Sequence, residues 1–314
     1  VGAEVNCLFY TNFSLKNGFS PSLDKKLLEA EQIFTAGEVF WNQDYYSLAR
    51  QLRFWATNFK LPWISNFYCG FYSDAPQERK KYFPSTPQLT KFLATLALAC
   101  GIKGLDQYMF VERSYWHDSA LDQDGSIKPN YEVLQKLNLL TEKIQLENLK
   151  NLAEIGLVTY KPYYDYLALK NEQIFPYISH LLQKTLAGLS QDLSYLKLDY
   201  SVPDLGSKES LANSKFLIIP SAQFMEQTAQ ENILALAKSG KIVLLFGMIP
   251  EWDLNFKKCD ILSKALKIKT KYSGEIEEIE AFDEKFLAYS FAEIKRKGRK
   301  SEEIAWKKGK CVGV

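Results

Sequence analysis

Short apolar runs alternate with stretches of helical period along most of this chain, and that alternation restricts the fold more than any other feature. Val5–Tyr10 is an apolar run that ends at Thr11-Asn12, Glu38–Trp41 is a second, Pro62–Ile64 a third and Gly104–Val111 a fourth. Between them, Gly18–Leu28 is a polar connection into a helix start at Ser22 or Asp24. Leu48–Phe59 puts Leu48, Leu52, Trp55 and Phe59 on one helical face, Pro87–Ala99 reads as a helix, and Tyr131–Leu149 as a long amphipathic one. Strands joined through helices need crossover connections, so this order predicts a parallel α/β layer over residues 1–150.

The alternation continues with different chemistry over residues 151–270. Ala153–Tyr160 and Phe216–Pro220 read as buried strands, Leu196–Tyr200 as a short one and Lys241–Phe246 as another. Helices are expected over Phe175–Leu189 and Thr228–Ser239. The pattern is that of an open, doubly wound sheet of flavodoxin type. Residues 271–314 turn acidic, then basic, in short alternating runs that read as the start of a β domain. The Lys295–Lys300 run is followed by Glu302-Glu303 and reads as a solvated turn. The chain opens Val-Gly-Ala-Glu-Val, with no Met and no basic leader, and is expected to begin inside a longer protein.

Composition excludes several functions. Lys+Arg 39 against Asp+Glu 37 gives +2, so no whole-chain field draws the protein to nucleic acid or to an acidic membrane. No window nears the ~18 apolar residues of a membrane span. Five cysteines without a CxxC pair, and two histidines, argue against a disulfide framework and against a zinc site. No GxGxxG or phosphate loop occurs, so no nucleotide or other cofactor is expected. Cys259 lacks the strand–turn–helix elbow of a thiol nucleophile.

The aromatic content is high: 18 Tyr, 20 Phe and 6 Trp, or 14%. Ligand sites of parallel α/β folds lie at the carboxyl ends of the strands. Those ends are expected at Thr11-Asn12, Asp44-Tyr45-Tyr46, Ser65-Asn66-Phe67 and Tyr108–Arg113, among Trp41, Trp63, Phe67, Tyr68, Phe71, Tyr115 and Trp116. Aromatic faces beside amides, phenols and carboxylates suit a sugar, whose ring stacks while its hydroxyls hydrogen-bond. For each aromatic taken singly, capping of the core is the competing reading. Asp106 reads as a buried structural carboxylate, and His117 as a loop histidine.

The same segments carry a family resemblance. Thr11-Asn12, Asp44-Tyr45-Tyr46, and Pro62-Trp63-Ile64-Ser65 with Gly70-Phe71 resemble strands five, six and seven of the β-galactosidases of glycoside hydrolase families 42 and 35. Gly104–Phe110 resembles their strand eight, and Ser119–Gly125 the segment that follows it. The stretch from Ala153-Glu154-Ile155-Gly156 is similar to the second domain of family 42 enzymes, associated there with subunit assembly. The resemblance implies an α/β chain made of the C-terminal half of a (β/α)8 TIM barrel (strands 5–8, residues 1–150), a flavodoxin-like domain (151–270) and the start of a β domain (271–314).

It implies further a retaining β-galactosidase-like hydrolase acting on terminal β-linked sugars, with no metal. Its acid/base carboxylate would follow strand four, before Val1. Asn66 occupies the nucleophile position, where the family has Glu. An amide cannot hold the glycosyl ester that a retaining enzyme forms, so Asp74, Glu78 or Glu112 is left as a substitute, Glu112 foremost. Asn12, Tyr46, Trp63, Tyr108 and Trp116 would bind substrate. The partners implied are a carbohydrate substrate and either further copies of the chain or a complementary N-terminal half. The alternative is an inactive carbohydrate-binding or assembly relative with Asn66 in place of the nucleophile.

Overall fold

The computed structural model describes residues 10–14, 34–39, 44–59, 61–73, 85–168, 176–273, 277–288, 291–296, 305–307 and 310–313. The chain divides into two compact units, Val1–Leu152 and Ala153–Val314.

The first unit is built on a four-stranded parallel sheet. Its strands are β1 (Tyr10–Ser14), β2 (Phe34–Val39), β3 (Trp63–Tyr68) and β5 (Gly104–Tyr108), hydrogen-bonded in the order β1-β2-β3-β5. Helix α1 (Tyr45–Asn58) connects β2 to β3. The Ser47 N–H donates to the Asp44 carboxylate at 2.9 Å, a side-chain cap that starts the helix. The apolar face of α1 buries Leu48, Leu52, Phe54 and Trp55.

After β3 the chain forms a two-residue strand β4 (Phe71–Tyr72), then α2 (Pro87–Ala99). Thr86 caps α2 and Pro87 sits in its first turn, where a missing N–H costs nothing. Beyond β5, the two-residue strand β6 (Trp116–His117) returns antiparallel to β4, and α3 (Pro129–Ile144) closes the unit. Asn130 staples three segments together. Its amide donates to Ser85 O at 2.7 Å and Asp118 O at 2.8 Å, while Thr90 donates to its oxygen at 3.2 Å.

The second unit opens with β7 (Ile155–Leu157), α4 (Lys161–Ala168) and α5 (Pro176–His180), which runs through a π-helical turn at Leu181–Thr185 into α6 (Leu186–Tyr195). Then come β8 (Tyr200–Ser201), α7 (Lys208–Ala212), β9 (Phe216–Ser221), α8 (Gln227–Lys238) and β10 (Ile242–Gly247). The sheet is parallel, in the order β8-β7-β9-β10, so chain order reverses at β7. Leu217, Ile218 and Ile219 of β9 are buried, whereas Ile242, Leu244 and Phe246 of the edge strand β10 are exposed. Gly156 permits close packing at β7, where a Cβ would sit 2.8 Å from both Leu217 Cδ2 and Ser214 Oγ.

Helix α9 (Ile261–Leu266) leads into short antiparallel strands. These are β11 (Ile268–Ser273), β12 (Glu277–Ala281), β13 (Glu284–Ala288), β14 (Phe291–Arg296), β15 (Ala305–Lys307) and β16 (Lys310–Gly313). β11 pairs with β14, and the others form a sheet in the order β13-β12-β15-β16.

β9 and β10 fall within one residue of the runs at Phe216–Pro220 and Lys241–Phe246, whereas strands of the first unit depart further. β1 covers Tyr10–Ser14, so Asn12 is in mid-strand and not at a strand end, while residues 5–9 of the Val5–Tyr10 run lie outside the described residues. Tyr46 is the second residue of α1 and not the tip of β2. Asp106 is exposed, contrary to its reading as a buried carboxylate. His117 lies on β6 and not in a loop.

Candidate functional site

Parallel pairing brings Tyr68, the last residue of β3, beside Tyr108, the last residue of β5. Their ring centroids are 6.2 Å apart. The β4–β6 ribbon then folds Trp116 onto both, 5.6 Å from Tyr68 and 5.3 Å from Tyr108, edge-on to the latter at 78°. Tyr72 joins at 6.2 Å from Trp116 and 6.4 Å from Tyr115. Trp116 is only 8% exposed, whereas Tyr72 and Tyr115 are more than half exposed. A buried indole thus anchors a row of half-open phenols at the carboxyl ends of two parallel strands.

Backbone bonds hold the row in place. Cys69 N–H donates to Tyr108 O, and Ser73 N–H to Tyr115 O, each at 2.7 Å. Gly70 makes the ribbon possible. A Cβ there would lie 2.5 Å from His117 O and 2.7 Å from Trp116 Nε1, closer than real side chains approach. Trp116 Nε1 and Ser119 Oγ, both beside Gly70, are buried and find no hydrogen-bond partner among the described residues. Burial, with a smaller contribution from Asp106, pushes the Cys69 thiol up to about 12, so it stays protonated and unreactive.

Two residues before Tyr68, Asn66 of β3 pairs in register with Glu38 of β2, which pairs with Ser14 of β1. Apolar patterning did not single out Ser14 or Glu38 as site residues; only the pairing register puts them beside Asn66. The register of β3 shifts against both neighbours around Asn66.

The other candidates are dispersed. Trp63 opens β3, and its ring packs over Gly104, the first residue of β5. At about 3.3 Å per residue, five steps separate it from Tyr68 by roughly 16 Å. Its expected role as a platform at the strand ends is therefore corrected, since it lies at the opposite end of the sheet. Asn12 shares its row, through Ala36. Tyr46 packs edge-to-face on Tyr45 at 5.1 Å.

Glu112 lies past β5, with only 14% of its side chain exposed. It is ion-paired to Lys128 and 3.5 Å from His117 Nδ1. Trp41, Asp74 and Glu78 lie outside the described residues. Among the described residues no cluster of His, Cys, Asp and Glu has the make-up of a metal site, and no helix is long and apolar enough to cross a membrane.

In the second unit, tyrosines fill the crevice at the carboxyl ends of β7 and β9. Tyr163 is fully buried; its hydroxyl accepts from Ala222 N–H and donates to Phe224 O, both at 2.9 Å. Tyr160 accepts from Glu226 N–H at 3.2 Å. Burial raises both phenols above their ordinary range, so each acts as a neutral structural group.

A family model described as GLMA-like, second domain, matches residues 171–301. A β-1,2-glucosyltransferase of Ignavibacterium album is 27% identical over 228 residues, covering 63% of this chain and 32% of that protein. Among solved structures, a catalytic mutant of a GH42 β-galactosidase from G. stearothermophilus aligns with a TM-score of 0.73 at 11% identity, over 94% of this chain and 46% of that one. The β-galactosidase of Bacillus circulans sp. alkalophilus gives 0.72 at 12% identity, over 97% and 48%.

The fold is therefore a mixed α/β one resembling GH42 β-galactosidase domains. This chain spans about half the length of those structures and about a third of the curated relative.

Proposed function

We propose that this chain binds terminal β-linked sugars as part of a glycoside-processing enzyme of β-galactosidase type. In this reading the first unit supplies strands five to eight of a catalytic (β/α)8 barrel, and the parallel sheet of the second unit is a flavodoxin-like domain. The observation that carries it is the Tyr68–Tyr108–Trp116 wall, with Tyr68 standing two residues beyond Asn66 of the Ser14–Glu38–Asn66 row. Apolar ring faces near the Asn66 amide are the kind of stacking and hydrogen-bonding set that a pyranose needs. The two solved neighbours described above are β-galactosidases and the curated relative is a β-1,2-glucosyltransferase, so both comparisons point to glycosides.

Asn66 decides what chemistry follows binding. A Glu at this position would attack the anomeric carbon and hold the sugar as an ester until water or a second sugar displaced it. The amide accepts and donates hydrogen bonds to hydroxyls without forming that ester. Asn66 thus favours a second reading, a carbohydrate-binding relative without turnover.

Calorimetry on the full chain with galactose, glucose, glucosamine and short β-linked disaccharides tests binding. Tyr108→Ala is expected to weaken it at least about tenfold, or ~1.4 kcal/mol, and absence of binding by every probe sinks the proposal. Release of nitrophenol from aryl β-galactosides and β-glucosides tests turnover. Asn66→Glu is expected to raise it about a hundredfold, the order a positioned catalytic carboxylate supplies. Binding without that gain leaves the non-catalytic reading standing.

A further inference from the structure

A second place for a sugar lies in the other unit, at the carboxyl ends of β9 and β10. A cavity of about 230 Å³ opens there, lined by Gln223, Phe224, Trp252 and Phe256. Trp252 is 41% and Phe256 46% exposed, while Phe224 beneath them is fully buried. Large exposed aromatics on a loop carry a solvation cost that core packing does not require. This loop nevertheless holds them firmly.

Trp252 O accepts from Met225 N–H at 2.8 Å, and Gln223 O accepts from Glu251 and Trp252 N–H at 2.9 and 3.2 Å. Asp253 accepts from Asn255 and Lys257 N–H, each at 2.8 Å, and Phe256 takes a left-handed φ of 57°. A non-glycine residue keeps that conformation only where its surroundings enforce it. Phe224 and Phe256 rings meet at 6.0 Å, and Tyr166 backs Phe224 at 4.8 Å. The cavity wall is thus assembled before any ligand arrives, which lowers the ordering cost of binding.

The chemistry of the wall selects its occupant. Lys258 Nζ stands 5.2 Å from the Trp252 ring centroid and pairs with Glu251 at 3.1 Å, so this cation is already neutralised. The Trp252 indole N–H and the Gln223 side-chain amide make no hydrogen bond to a described residue. Two aromatic faces with unspent neutral donors and an amide acceptor match a neutral polyhydroxylated ring. The volume is below the ~300–1,000 Å³ of drug-sized pockets, in keeping with one ring.

We infer that Gln223, Phe224, Trp252 and Phe256 form a saccharide-binding subsite for a single neutral pyranose, separate from the strand-end site of the first unit. The ring stacks on the exposed indole and phenyl faces, and its hydroxyls bond the Gln223 amide and the Trp252 N–H. Such a subsite would hold a distant residue of an oligosaccharide or a second sugar molecule.

Calorimetry and saturation-transfer NMR on the full chain, with methyl β-D-glucopyranoside and methyl β-D-galactopyranoside as probes, test the inference. Trp252→Ala is expected to weaken the bound component at least about tenfold. Gln223→Leu should weaken it severalfold, and Trp252→Phe, which keeps a stacking face, should retain most of it and controls for folding. Tyr108→Ala should leave this component unchanged, which separates the subsite from the site proposed above. Binding indifferent to Trp252→Ala and Gln223→Leu, or no binding of either probe to the native chain, overturns the inference.

Discussion

At the scale of single residues, two positions beside the aromatic wall set testable limits. Gly70→Ala would press a methyl against His117 O and Trp116 Nε1. Overpacking of this kind costs about 1–3 kcal/mol, so the urea midpoint should fall and Trp116 emission should shift. An unchanged midpoint would mean that the β4–β6 ribbon yields freely. Cys69 has its thiol pushed up to about 12 by burial first and Asp106 second. A raised folded-state value means that the folded protein keeps its proton where the unfolded chain has lost it. The stability linked to this group is therefore full below the ordinary thiol range, near 9, and is lost as pH climbs from there toward about 12. Native Cys69 should resist alkylation at pH ~8 and react only once the chain unfolds; rapid labelling of the native protein would contradict this. The aromatic excess was visible in the sequence, but which rings meet was not. Trp63 and Tyr68 sit on one strand with similar neighbours, and only strand direction puts one at each end of the sheet.

At the scale of elements, helices were more legible than strands. Pro87–Ala99 could be read off to the residue because Thr86 and Pro87 mark its start with side-chain chemistry. Strand limits depend on which backbone groups find partners on a neighbouring chain segment, and apolar runs carry that information poorly. β1 covers Tyr10–Ser14, so Asn12 moves from a strand end to mid-strand. The helix expected at Phe175–Leu189 extends through a π turn to Tyr195, a hydrogen-bond detail with no sequence mark. Tyr163 belongs to this scale, since its hydroxyl ties the turn after β9 to α4. Tyr163→Phe leaves a buried N–H and a carbonyl unpaired. It should cost about 1–3 kcal/mol, measured as a lowered midpoint of chemical unfolding. A neutral result would mean that both groups find other partners.

At the scale of the whole molecule, the sequence alone determined the α/β alternation, the parallel direction of both sheets and the near-neutral charge balance. These depend on local period and composition, which each segment carries within itself. Tertiary structure decided the site. Ser14, Glu38 and Asn66 form a row because three strands pair in one register, and Trp116 reaches Tyr68 and Tyr108 because a two-strand ribbon folds back over Gly70. It also paired Glu112 with Lys128, and it set Trp252 and Phe256 around a cavity in the second unit. Register and loop return join residues far apart in the chain, and no local pattern records such pairings.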